Sequence, residues 1–177
     1  MSSIISVRRV RRTVLPTLAA AVAAAGVTAL LPGSAVAATP RCAVDQLDGA
    51  FKNASAGAGS RTATLVLTNT SRSRCSLFGY PGAQLLNARN RDLPTNIVRD
   101  RSRSPKTVVL APGGRAVSQW RWGAIAGSGE PQNRACEPNP ARIEVTPPNA
   151  TRFLVLPWKM GPVCEKGEIT VRPMAAG

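Results

Sequence analysis

Histidine is absent from all 177 residues, and the aromatics amount to three Trp, three Phe and one Tyr. Without an imidazole, the common Ser/His and Cys/His nucleophile arrangements cannot be assembled. Acidic side chains are also scarce, nine against 23 Lys and Arg, and they are scattered from Asp45 to Glu168. A glycosidase-like carboxylate pair would have to come from this set, and no spacing singles out two of them. No Ser-x-x-Lys motif, no phosphate-cradling glycine loop and no Cys-x-x-Cys occurs. The absences argue against an enzyme, a metal site and a cofactor.

Long hydrophobic runs are confined to the start of the chain. Arg8, Arg9, Arg11 and Arg12 precede an apolar stretch from Val14 to Leu31, and Ala35-Val36-Ala37 supplies a small-residue cleavage site. Residues 1–37 therefore read as a secretory signal peptide, leaving one domain over 38–177. An uncleaved anchor is the rival reading, opposed by Pro16, Gly26 and Pro32 within or beside the run. Arg11-Arg12 also fits a twin-arginine export signal, so the export route stays open. After cleavage no membrane span is expected.

Four basic side chains lie in the signal, which leaves 19 against nine acids and a net charge of +10 for the remainder. The codon usage of a GC-rich genome accounts for Arg outnumbering Lys, but not for bases outnumbering acids. Attraction to an anionic partner follows. The densest basic stretch carries Arg89, Arg91, Arg99, Arg101, Arg103 and Lys106 among turn-forming residues. It is the candidate anionic-ligand site, weighed against a merely solvated loop. Nucleic acid is not the expected partner, because the loop has no aromatic residue for base stacking.

The four cysteines, Cys42, Cys75, Cys136 and Cys164, all follow the cleavage site. An even count in an exported chain reads as two disulfides with three possible connectivities. Pairing Cys42 with Cys75 and Cys136 with Cys164 is expected, because each pair brackets a compact sheet segment. Either bridge would stabilise the fold by about 3–4 kcal/mol on the chain-entropy account.

Thr62 to Thr70 alternates apolar Ala63, Leu65 and Leu67 with Thr62, Thr64, Val66 and Thr68, the period of a half-buried strand. Tyr80-Pro81-Gly82-Ala83 reads as a type II turn, with glycine taking the positive dihedral. Lys52 to Ser60, small and polar, reads as a mobile loop, as does Gly123 to Ala135. Thr107 to Leu110 and Arg115 to Trp122 flank Ala111-Pro112-Gly113-Gly114, as a hairpin or a corner between sheets. Ala116, Ser118, Trp120 and Trp122 share a face there, a core stripe in preference to a carbohydrate platform. Further strands are expected at Leu47–Phe51, Ala83–Leu86, around Ile143, at Arg152–Leu156 and at Glu168–Arg172. Asn53, Asn69 and Asn149 begin Asn-x-Ser/Thr triplets, which read as turn chemistry. Seven or eight short strands without an amphipathic helix imply an all-β, immunoglobulin-like antiparallel β-sandwich, with a small barrel as second choice.

The ordered set Leu65-Val66-Leu67-Thr68-Asn69-Thr70-Ser71, Cys75, Gly79-Tyr80-Pro81-Gly82, Leu110-Ala111-Pro112-Gly113, Cys136-Glu137-Pro138 and Cys164 resembles the domain-of-unknown-function family 4232 (DUF4232). The resemblance runs from Cys42 to Pro173. It implies a secreted or envelope-associated β-sandwich of high-GC Gram-positive bacteria, in some members carried on a lipoprotein. This chain has no cysteine just after the apolar run, which points to a released or wall-associated form. No activity comes with the resemblance. The functional expectation is a secreted, non-enzymatic binding module for an anionic cell-wall polymer, or alternatively for an extracellular protein such as a protease. The inhibitor reading would use Gly123–Ala135 or Glu137–Ala141. Oligomeric state is not legible.

Overall fold

The computed structural model describes residues 38–177. The expected signal peptide, over residues 1–37, lies outside the described residues. Eleven strands appear where seven or eight were expected. They are β1 (Leu47–Gly57), β2 (Ser60–Asn69), β3 (Cys75–Leu77), β4 (Gly82–Leu86), β5 (Asn96–Arg99), β6 (Val108–Leu110), β7 (Arg115–Gly123), β8 (Arg142–Thr146), β9 (Leu154–Pro157), β10 (Glu168–Val171) and β11 (Ala175–Ala176). The larger sheet has the order β1-β2-β7-β10-β5, with β11 also beside β7. The sheets β4-β8-β9 and β3-β6 complete the sandwich, and none closes into a barrel. One pairing departs from the antiparallel expectation: β5 runs parallel to β10.

The core forms where the period-2 faces meet. Across β2 and β7 the register sets Ala63 opposite Trp120, Leu65 opposite Ser118 and Leu67 opposite Ala116. Large side chains thus face small ones, which lets the layer interdigitate without overpacking. On the other side of β7, Val171 pairs with Trp120 and Ile169 with Trp122. Phe51 meets Trp120 and Trp158 edge-on, with centroids 5.2 and 5.6 Å away. All three tryptophans are buried, so the stripe on β7 is core and offers no sugar platform. Leu85, Ile143, Val145 and Leu156 fill the opposing layer. The sheets approach closely at Gly49, where a Cβ would stand 3.2 Å from Leu154 and Leu156.

Three local readings change. Lys52–Ser60 is not a loop: β1 continues to Gly57, slips register between Lys52 and Ser55, and turns through Ala58 and Gly59 into β2. Both turn residues have positive φ, 45° and 78°, as a type I′ hairpin turn requires. Small side chains of low β-propensity hid a strand whose stability comes from its pairing with β2. The stretch from Arg89 to Lys106 likewise contains β5, four residues held by β10 from far along the chain. Third, Gly82 opens β4 instead of taking a positive dihedral; Gly79 does so, at φ 110°. The type II turn at Tyr80-Pro81 is therefore replaced by a bend one step earlier.

Between β6 and β7 the chain makes a corner, since β6 pairs with β3 and β7 with β2. Asn69 holds that corner. Fully buried, it donates from Nδ2 toward Ser73 O, Leu110 O and Ala111 O, and its Oδ1 accepts from Ser71. Its sequence triplet is turn chemistry, as expected, and the side chain is shut off from solvent.

The disulfides join Cys42 to Cys75 and Cys136 to Cys164, the expected pairing. The first clamps residues 40–42 beside β3, where Cys42 N–H donates to Ser76 O and Ser76 N–H to Pro40 O. The second ties the segment after β7 to a single turn, Cys164–Gly167, in which Glu165 and Lys166 adopt left-handed φ of 59° and 58°. Two bridges suit an oxidising compartment. No helix among the described residues is long and apolar enough to cross a membrane.

Candidate functional site

The six basic residues singled out by the sequence divide into two groups. Arg89 and Arg91 lie in the turn after β4, where Asn87 Oδ1 accepts both of their backbone N–H groups at 2.8 and 3.0 Å. Their side chains are exposed, and the nearby Arg142 bonds Asn90 Oδ1. This group is separate in the chain from the other four, of which Arg99 ends β5 and the rest follow it.

Arg99, Arg101 and Arg103 line one open depression of about 340 Å³ with Tyr80, Ser104 and Pro105. Beyond β5 the chain turns at Arg101–Ser102 and bends at Arg103, and this turn, not strand alternation, brings the three arginines around one depression. The backbone there is tethered at both ends. Asp100 N–H donates to Val171 O at 2.9 Å, extending the parallel ladder beyond β5. The Tyr80 hydroxyl lies 3.2 Å from Asp100 O and 3.4 Å from Arg103 O and donates its one proton to this pair. The Arg99 guanidinium sits 5.5 Å above the Tyr80 ring, within cation–π range.

Asp100 completes the frame from below. Its Oδ1 accepts Ser102 N–H at 2.9 Å, and its Oδ2 accepts Arg172 Nε at 3.0 Å. Hydrogen bonds from the Ser102 hydroxyl and N–H, and then from Arg172, lower its pKa from 3.8 to about 2. Arg172 also bonds Gln119 Oε1 at 2.6 Å. Sequence reading missed Tyr80, whose partners are backbone carbonyls 20 and 23 positions away, and Asp100, whose charged partner Arg172 is 72 positions away. Among the described residues the ion pairs are Arg172 with Asp100 and Arg152 with Asp45. Arg99, Arg101 and Arg103 are exposed and have no carboxylate partner there. A solvated run would leave three flexible cations; this one is splayed along a fixed backbone and can meet several anionic oxygens together.

Lys106 lies beyond the depression. With Arg103 it lines a neighbouring cleft of about 800 Å³ between β6 and β11.

A second constellation gathers at the other disulfide. Glu130 is buried, its Oε2 accepting Gly127 N–H at 2.6 Å and its Oε1 accepting Lys166 N–H at 2.7 Å. Burial pushes its pKa up, but the N–H groups of Lys166, Glu165 and Gly127 push it further down, and the net value is below the ordinary 4.5. Glu130 therefore pins the expected mobile loop, Gly123–Ala135, to the left-handed turn. Its carboxylate also lies within 4.8 Å of the Cys136 and Cys164 sulfurs. Those sulfurs are joined in a disulfide, so no thiolate ligands are available for a metal there.

The profile of the family described as "Domain of unknown function (DUF4232)" matches residues 42–175. The chain belongs to this family. That match covers β1 to β10, the first residue of β11, both disulfides and the Tyr80-anchored loop of this DUF4232 domain. No curated protein and no solved structure matches the chain.

Proposed function

We propose that this DUF4232 protein is an exported, non-enzymatic binding module, and that Arg99, Arg101 and Arg103 hold an anionic polymer of the cell envelope. The observation that carries the reading is the Tyr80–Asp100 frame, which presents three acid-free arginines along one depression. The net charge of +10 over residues 38–177 adds long-range attraction. Two disulfides support export, and the uncharged, apolar run with an Ala-x-Ala site supports a signal peptide. Repeating phosphate or carboxylate groups suit a row of guanidinium forks better than one compact ligand does, because the depression is open and shallow.

The test is co-sedimentation of the oxidised protein with isolated cell walls, with and without their anionic polymers. Pelleting is expected to need the polymers and to vanish near 1 M salt, where the screening length falls to about 3 Å. Replacing Arg99, Arg101 and Arg103 by Ser is expected to weaken it about tenfold or more. Pelleting that ignores the polymers, or survives in the triple variant, defeats the proposal. The protein-binding alternative draws its support from a different place, the cleft between β6 and β11.

A further inference from the structure

The cleft between β6 and β11 is bounded by two strand edges. Ser76 directs its N–H and C=O toward residues 40–42, to which it is bonded on both groups. Backbone groups alternate sides along a strand. Cys75 and Leu77 therefore face β6, and they engage Leu110 and Val108 opposite them. Val109, between those two, turns its N–H and C=O away from β3, and the residue lines the cleft. Its side chain is half exposed.

The facing edge obeys the same rule. Gly177 N–H donates to Arg115 O, which makes Ala175 with Val117 the hydrogen-bonded pair of β11 and β7. Ala176 then points its own N–H and C=O outward, and it too lines the cleft. Between the edges the floor is Val108, Val117 and Met174, and the rim carries Arg103, Lys106 and Arg172. No acidic residue lines it. The volume, about 800 Å³, lies in the range of preformed binding sites.

We propose that this cleft binds an extended acidic peptide segment of a partner protein by strand addition. The peptide backbone pairs with Val109 and Ala176, alternate apolar side chains enter the floor, and acidic side chains meet Arg103 and Lys106. Unpaired edges are hazards that proteins usually blunt or cover. Here each flank offers a donor and an acceptor across a cationic groove. A second copy of the chain is a poor occupant, since domains of charge +10 repel. A purely ionic polymer would leave the strand edges and the apolar floor unused. The proposal does not rest on the envelope reading.

The probe is a displayed library of random octapeptides selected on the oxidised protein, with the enriched peptides resynthesised and measured by fluorescence anisotropy. Acidic residues alternating with β-branched ones are expected to be enriched. N-methylation at alternate backbone positions of an enriched peptide should weaken it about tenfold or more, because strand hydrogen bonds are removed without changing side chains. Val109→Pro should do the same while keeping the fold and any cell-wall pelleting, because the lost N–H is on the free edge and not in the β3 ladder. Lys106→Glu should reverse the charge preference. No enrichment, or enriched peptides indifferent to both N-methylation and Val109→Pro, overturns the proposal. Concentration-dependent dimers abolished by Val109→Pro would assign the cleft to a second copy and overturn the proposal.

Discussion

Replacing Glu130 by Ala is expected to destabilise the protein by about 2–3 kcal/mol. Two N–H donors, Gly127 at 2.6 Å and Lys166 at 2.7 Å, lose an ionised acceptor. Bonds of that kind contribute about 1.5–3 kcal/mol each, so the gross loss is about 3–6 kcal/mol. Two effects offset part of it. The variant no longer desolvates a carboxylate, and the exposed Lys166 turn lets water take up one freed N–H. The net figure corresponds to a melting temperature lower by about 5–10 °C for a domain this size. Glu130→Gln retains one acceptor and should fall between the two proteins. Because the folded pKa is lowered, the contribution of Glu130 is full above its ordinary value of 4.5 and is lost as pH falls below that. The gap between wild type and Glu130→Ala should therefore shrink in acid. Urea unfolding of the oxidised proteins, with amide exchange followed at Gly127 and Lys166, measures all of this. An alanine variant within about 0.5 kcal/mol of wild type would refute the reasoning and return the segment to the status of an ordinary surface loop.

Trp158→Phe breaks the bond from its indole N–H to Gly161 O at 2.8 Å, whereas the buried Trp120 indole N–H has no acceptor to lose. By urea unfolding Trp158→Phe should therefore cost about 1–2 kcal/mol more than Trp120→Phe. Gly167→Ala should cost about 3 kcal/mol or more, since φ is 79° and the new Cβ would stand 1.9 Å from Pro94 O. Gly57→Ala, with nothing within 4 Å, is the near-neutral control in the same melts. The Asp100 carboxyl, at about 2 instead of 3.8, stabilises the arginine loop fully above 3.8 and loses that effect as pH falls toward 2. Amide exchange at Ser102 should accelerate in that window, and Asp100→Asn should lack the transition.

Alternation and turn chemistry are local, which is why β2, β7 and the corner at Pro112 are legible from the residues alone. The pattern at Ala63, Leu65 and Leu67 specifies a buried face in any register, because a slip of one residue would expose all three. The shared face of Ala116, Ser118, Trp120 and Trp122 is as clear. Four cysteines after an apolar leader indicate two bridges, and the scarcity of acids indicates a basic domain. Local chemistry does not announce β5 or the long arm of β1. Asn96–Arg99 is only four residues long, mostly exposed and set within a polar, basic stretch, and Ala54 to Gly57 has little β-propensity, so each is a strand only through a partner remote in sequence or across a turn. The candidate site divides in the same way. Its arginines are visible as a charge run, but their separation into two groups, and the frame that aims Arg99, Arg101 and Arg103, depend on Tyr80 and Arg172 reaching Asp100 and its neighbours across 20 and 72 positions. The free edges at Val109 and Ala176 depend on which side of each strand is already paired. By itself the sequence determined the alternating faces, the number of bridges and the sign of the charge, which are properties of neighbouring residues. Tertiary structure alone decided which backbone groups are satisfied and which cations lie together, because these are set by contacts between segments far apart in the chain.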